Sequence, residues 1–136
     1  MSIRVLIADD DAAIRRLLCR LIESHRGWTV CAEARDGHDA VAKVSQFHPD
    51  VAVIDLAMPD MNGLQAAREI SGQNSALPML LLTVQQVSKQ MIGEARAAGF
   101  RGALSKNTGS EVVHAVEVLL NHQESFPRIP SDALIW

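Results

Sequence analysis

The chain has 136 residues, 48% of them hydrophobic and 21% charged, with a formal net charge of −3. That length fits one domain whose core needs neither disulfides nor a structural metal, and the apolar fraction excludes a disordered chain. A pI near 5.9, 4% aromatic residues and no tyrosine argue against a nucleic-acid-binding face in this segment.

No apolar run approaches the roughly 18 residues of a membrane span, and Met1-Ser2-Ile3-Arg4 leads straight into strand-like sequence without a signal-peptide pattern. A cytoplasmic domain with no membrane partner is expected. Cys19 and Cys31 have neither metal nor redox spacing and read as buried thiols in a reducing compartment.

In chain order, Ile3 to Ala8 is the first strand-like run and ends in Asp9, Asp10 and Asp11. Ile14, Leu17, Leu18, Leu21 and Ile22 then recur on one helical face, with Arg15, Arg16 and Arg20 off that stripe. Asp11 is the expected N-cap and Gly27 the expected stop. Thr29 to Ala34 reads as a strand, and Ala40 to Phe47 as a short helix ended by His48-Pro49. Val51 to Leu56 is nearly all apolar, the pattern of a strand covered on both faces.

Met58 to Gly63 is a loop by its turn residues, Leu64 to Ser71 a helix, Met79 to Thr83 a strand and Val87 to Ala98 a helix with Gly99 at its end. Gly102 to Ser105 is a short last strand. Thr108 and Glu111 have capping-box spacing before an amphipathic helix carrying Val112, Val113, Val116, Leu119 and Leu120. From Gln123 to Trp136 there are two prolines and no period, the look of a linker.

Five strands alternating with five helices predict a doubly wound α/β fold with a parallel sheet. Ligands of such sheets bind at the carboxyl ends of the strands. Asp9 and Asp10 end the first strand, Asp55 the third and Thr83 the fourth, while Lys106 follows the fifth, so all converge on one edge. Three carboxylates there repel one another unless a divalent cation or a lysine neutralises them. Mg²⁺, with its preference for oxygen ligands, suits such a cluster better than Zn²⁺, because the five histidines share no ligand spacing. An aspartate beside Mg²⁺, a lysine and a hydroxyl donor can attack phosphorus to form an aspartyl-phosphate. Asp55, alone on the central strand, is the candidate nucleophile, and the Asp9-Asp10 pair is better placed to hold the ion. Each of these residues taken singly is more often a cap or turn residue; their convergence is what raises the functional reading. No phosphate-binding glycine-rich loop follows the first strand.

The runs Val5 to Asp11, Val53 to Gly63, Leu81 to Thr83 and Leu104 to Lys106 together resemble the receiver domain of bacterial response regulators, over about Ser2 to Asn121. The resemblance implies a flavodoxin-like (βα)5 sheet with strand order 2-1-3-4-5, a receiver domain over residues 1–122, and a tail or linker over residues 123–136. It implies Asp55 as phosphoacceptor and Asp10 as a direct Mg²⁺ ligand assisted by Asp9. Asp55 and the carbonyl of Ala57 would complete the protein ligands, and Thr83 and Lys106 would contact the phosphoryl group. The implied partner is a sensor histidine kinase, and homodimerisation is compatible with the resemblance. The chain would be a self-phosphorylating, slowly self-dephosphorylating switch and not a turnover enzyme.

The stretch Glu94 to Thr108 is similar to receivers followed by a LuxR-type helix-turn-helix domain, which implies transcription control and DNA contact through a domain absent from this sequence. Two positions depart from the family pattern: Ala103 stands where an aromatic residue is usual, and Val84 where a small one is usual. A receiver that acts as a phosphate-independent interaction module is the alternative those departures sustain. A phosphohydrolase is a third reading, disfavoured because Ala57 stands where such enzymes carry a second aspartate.

Overall fold

The computed structural model describes residues 2–129. Five strands, β1 (Ile3–Ala8), β2 (Trp28–Ala34), β3 (Val51–Asp55), β4 (Met79–Thr83) and β5 (Gly102–Ser105), alternate with five helices, α1 (Ala12–Glu23), α2 (Gly37–Phe47), α3 (Gly63–Gln73), α4 (Lys89–Ala98) and α5 (Val112–Leu120). All strand pairs are parallel and the order is β2-β1-β3-β4-β5. The doubly wound reading and its strand order therefore hold.

Strand side chains alternate between the two faces of the sheet. Leu6, Ala8, Ile54 and Leu81 join the core under α2, α3 and α4. Val5, Ile7, Val53, Leu80 and Leu82 pack instead against Leu18 and Ile22 of α1 and Val116 and Leu119 of α5. Every residue of β3 and β4 is buried, as the near-continuous apolar runs require.

The helix starts follow short polar side chains. Asp11 accepts from the amides of Ala13 and Ile14, Asp36 from Asp39, and Ser88 from Met91, each satisfying donors that the first turn leaves open. Asn62 and Gln65 form a reciprocal capping box at α3.

Three local expectations change. The C-cap of α1 is Ser24, and Gly27, at φ 84°, instead turns the chain into β2. Lys106–Glu111 forms a 3₁₀ turn, so α5 begins at Val112 with Glu111 at its N-cap position and no side-chain cap bond. Thr108 thus lies inside the turn, and the expected capping box does not start the helix. The third change concerns the tail. Ser125 accepts from the amide of Ala103 at 3.1 Å and donates to the carbonyl of Arg101 at 2.9 Å, a parallel bridge on the outer edge of β5. Phe126 and Ile129 pack against the core, so this part of the tail is docked and not a free linker. The rest of the expected linker, residues 130–136, lies outside the described residues. Cys19 and Cys31 are half-buried free thiols; burial, with the Glu33 carboxylate alongside, pushes the Cys19 thiol up to about 11. Among the described residues no helix is long and apolar enough to cross a membrane.

Candidate functional site

The site lies at the carboxyl edge of the sheet, around the ends of β1, β3 and β4. Register explains the gathering. Ala8 pairs with Ile54 and Asp55 with Leu82, so Asp9, Asp55 and Thr83 leave adjacent strands at nearly one level. Asp9 is fully buried, and Asp55 and Thr83 are 3% and 2% exposed. Asp10 is exposed beside them. One carboxylate oxygen from each of Asp9, Asp10 and Asp55 lies within 4.8 Å of the others.

The turn after β5 delivers the countercharge. Lys106, the first residue of the 3₁₀ turn, places Nζ 2.7 Å from Asp9 Oδ2 and 3.1 Å from Asp55 Oδ1. Ser105 holds the start of that turn by accepting from the Asn107 amide. Asp9 is gripped further: its amide donates to the Ala34 carbonyl at 3.0 Å, and its Oδ1 accepts from the Asp11 amide at 2.9 Å. The Thr83 hydroxyl accepts from the Gln85 amide at 3.1 Å, which leaves its own proton for another acceptor.

Burial, reinforced by the neighbouring Asp9 charge, pushes the Asp55 carboxyl up to about 6, against the lowering pull of Lys106. For Lys106, burial disfavours the ammonium, but hydrogen bonds and ion pairing to Asp9 and Asp55 outweigh it, and its pKa is raised on balance. One lysine thus pairs with two of the three clustered acids. Oxygen donors of this kind, only partly neutralised, match a divalent hard cation such as Mg²⁺. Among the described residues no histidine or cysteine shares the cluster.

Of the residues singled out from sequence, Asp9, Asp10, Asp55 and Lys106 come together directly. Thr83 stands at the end of the adjacent strand, in register with Ser105. Ala57 is exposed, two residues beyond Asp55 in the loop to α3. Val84, next to Thr83, is 67% exposed, and Ala103 is buried. Ala103 lines a groove of about 470 Å³ shared with Val87, Ala115, Phe126 and Ile129. Sequence reading passed over Arg15, whose Nη1 donates to the Asp9 carbonyl at 2.7 Å. Its place in the first turn after the acidic run, off the apolar stripe, was the available signal.

The architecture is that of a flavodoxin-like (βα)5 domain with an acidic pocket and an adjacent lysine at the switch edge of its sheet. The family model described as the response regulator receiver domain matches residues 5–117, and the chain belongs to that family. It is 36% identical over 110 residues to the transcriptional regulatory protein YdfI of Bacillus subtilis, covering 81% of this chain and 51% of that protein. It is 32% identical over 118 residues to a protein-glutamate methylesterase/protein-glutamine glutaminase of Treponema denticola, covering 86% of this chain and 32% of the relative. The chain therefore spans about a third to a half of these relatives' lengths. Among solved structures, a LuxR-family two-component response regulator from Aurantimonas sp. superposes with a TM-score of 0.87 at 31% identity, over 92% of this chain and 89% of that one. The receiver domain of a NarL response regulator from Mycobacterium tuberculosis superposes at 0.83 with 28% identity, over 90% and 98% of the two chains. As a receiver domain, the chain is a signalling module of two-component systems, similar to members of the LuxR/NarL group.

Proposed function

We propose that this receiver accepts a phosphoryl group on Asp55 from a sensor histidine kinase, with Mg²⁺ held by Asp10, Asp55, Asp9 and the Ala57 carbonyl. The observation that carries this reading is the gathering of the Asp9, Asp10 and Asp55 carboxylates around Lys106 at one buried edge. When bound, Mg²⁺ would neutralise the carboxylates and the charge on the transferring oxygens.

In the transfer, an Asp55 carboxylate oxygen forms a bond to phosphorus while the phosphorus–nitrogen bond to the kinase histidine breaks, and the released imidazole takes up a proton. A small acyl phosphate also serves as donor, its phosphorus–oxygen bond breaking to release the carboxylate. Lys106, already 3.1 Å from Asp55 Oδ1, is in reach of an oxygen on the new phosphoryl group and offsets its charge. The Thr83 hydroxyl donates a hydrogen bond to another of those oxygens. Water slowly hydrolyses the aspartyl-phosphate, releasing inorganic phosphate and restoring the Asp55 carboxylate, so the protein acts on itself as a switch and not as a turnover enzyme. Residues 1–122 form the receiver. Residues 123–136 lead toward an output segment of the LuxR helix-turn-helix type, through which transcription would be controlled in the cytoplasm; the likeness to YdfI and to the LuxR-family structure supports this.

Intact mass after treatment with acetyl phosphate and MgCl₂ tests the reading. A mass gain of one phosphoryl group is expected in the wild type and none in Asp55→Asn. An adduct that persists in the variant refutes the assignment to Asp55. An unmodified wild type favours the phosphate-independent interaction module.

A further inference from the structure

We propose that Arg15 is a positioning residue for the cation site, clamping the Asp9-Asp10 peptide so that Asp10 presents its carboxylate toward Asp9 and Asp55. The inference rests on the reading that this cluster holds Mg²⁺. Arg15 lies in the first turn of α1, and its side chain is 14% exposed. Its Nη1 donates to the Asp9 carbonyl at 2.7 Å, while its Nε donates to Glu33 Oε1 at 3.0 Å. Glu33 is anchored on β2 opposite Ile7 of β1.

The guanidinium therefore bridges the ends of two paired strands, using a planar fork that a single ammonium cannot reproduce. The carbonyl it holds belongs to the rigid peptide that carries the Asp10 nitrogen. Asp9 is fixed at its amide, at Oδ1 and at Oδ2 by Ala34, Asp11 and Lys106. Its carbonyl is the remaining handle, and turning that peptide would redirect Asp10, the exposed member of the trio. Hydrogen-bond partners one step behind a ligand act on metal affinity in this way.

The sign of the effect separates positioning from charge. Removing a cation beside three carboxylates should tighten Mg²⁺ binding by electrostatics alone, whereas loss of the clamp should weaken it. Calorimetric titration with MgCl₂ on wild type, Arg15→Met, Arg15→Lys and Asp10→Ala decides. We expect Arg15→Met to bind roughly 10-fold more weakly. Arg15→Lys should fall between it and the wild type; with its charge unchanged and its fold closest to native, it carries the test if the methionine variant does not fold. Binding as tight as or tighter than wild type in Arg15→Met, with Arg15→Lys unchanged and Asp10→Ala weakened, would overturn the role of Arg15 and leave the cation site standing. A wild type that binds no Mg²⁺ would overturn both.

Discussion

At the scale of single residues, the chemistry turns on how Asp55 is buried. Its carboxyl is pushed up to about 6 by desolvation and by Asp9, so the native chain holds that proton more tightly than the unfolded chain, whose carboxylates titrate near roughly 4. The stability this contributes is complete below the unfolded value and is lost as pH rises through about 6. In the presence of EDTA, the wild type should lose on the order of 2 kcal/mol relative to Asp55→Asn between acid and neutral pH. Urea unfolding at stepped pH measures this, and a difference independent of pH would contradict the burial argument. Val84 poses a separate question. Its branched side chain stands 67% exposed at the rim beside Thr83, where it can screen approach to Asp55 without supporting the core. Val84→Ala should change stability by no more than about 0.5 kcal/mol while speeding adduct formation, adduct hydrolysis or both. Unchanged rates would dismiss the screening role.

At the scale of elements, the site depends on how closely a helix start approaches a strand end. Gly63 opens α3, and its amide donates to the Leu56 carbonyl at 2.8 Å. A methyl group at Gly63 would overlap the Asp55 carbonyl oxygen and press on Leu56 Cα, both backbone atoms that cannot swing aside. Gly63→Ala should therefore cost on the order of 2 kcal/mol by overpacking. Gly72, in the last turn of the same helix, has open space around it, and Gly72→Ala should be neutral or slightly stabilising. Denaturant midpoints of the two variants give the contrast, and similar losses in both would remove the close-approach argument. Ala103 has the opposite character. It is small where the family usually has a ring, it lines the groove shared with Ala115 and Phe126, and its backbone pairs with Ser125 on the outer edge of β5.

At the scale of the whole molecule, the sheet edge is closed by the chain itself. Arg96 of α4 grips Glu124 through two hydrogen bonds, at 2.8 and 3.2 Å. Its guanidinium also lies 4.6 Å from the centre of the Phe126 ring, a cation–π contact. These side-chain ties hold the tail beside the β5 bridge. Replacing Arg96 with alanine should speed amide exchange at Ala103 and Ser125 several-fold while leaving the amides of β3 and β4 protected. Exchange at Ala103 and Ser125 equal to wild type would mean that backbone pairing and Phe126 burial suffice without Arg96. Phe126 and Ile129 of the docked tail meet the same core that supports Ile54 and Leu81, next to the acidic edge.

The layers of the fold and the edge on which the chemistry collects are legible in the amino-acid sequence. Apolar runs such as Val51 to Asp55 have the pattern of strands covered on both faces, the stripe from Ile14 to Ile22 marks the buried side of a helix, and a parallel α/β sheet presents its strand ends together. Those patterns are local, continuous apolar runs of a strand's length and a helical repeat of about four residues, and a single chain displays them openly. The rest depends on groups distant in sequence, which meet only in the folded chain. The two-sided pairing of Lys106 with Asp9 and Asp55, the burial that raises Asp55, and the Arg15 clamp across β1 and β2 are set by register between strands. The 3₁₀ turn after β5 displaced a capping box with sound local spacing, since Lys106 opens that turn while reaching back to the acids. The tail looked like a linker because one bridging residue and two anchoring apolar side chains make no periodic pattern; only the open edge of β5 gave them a place to bind.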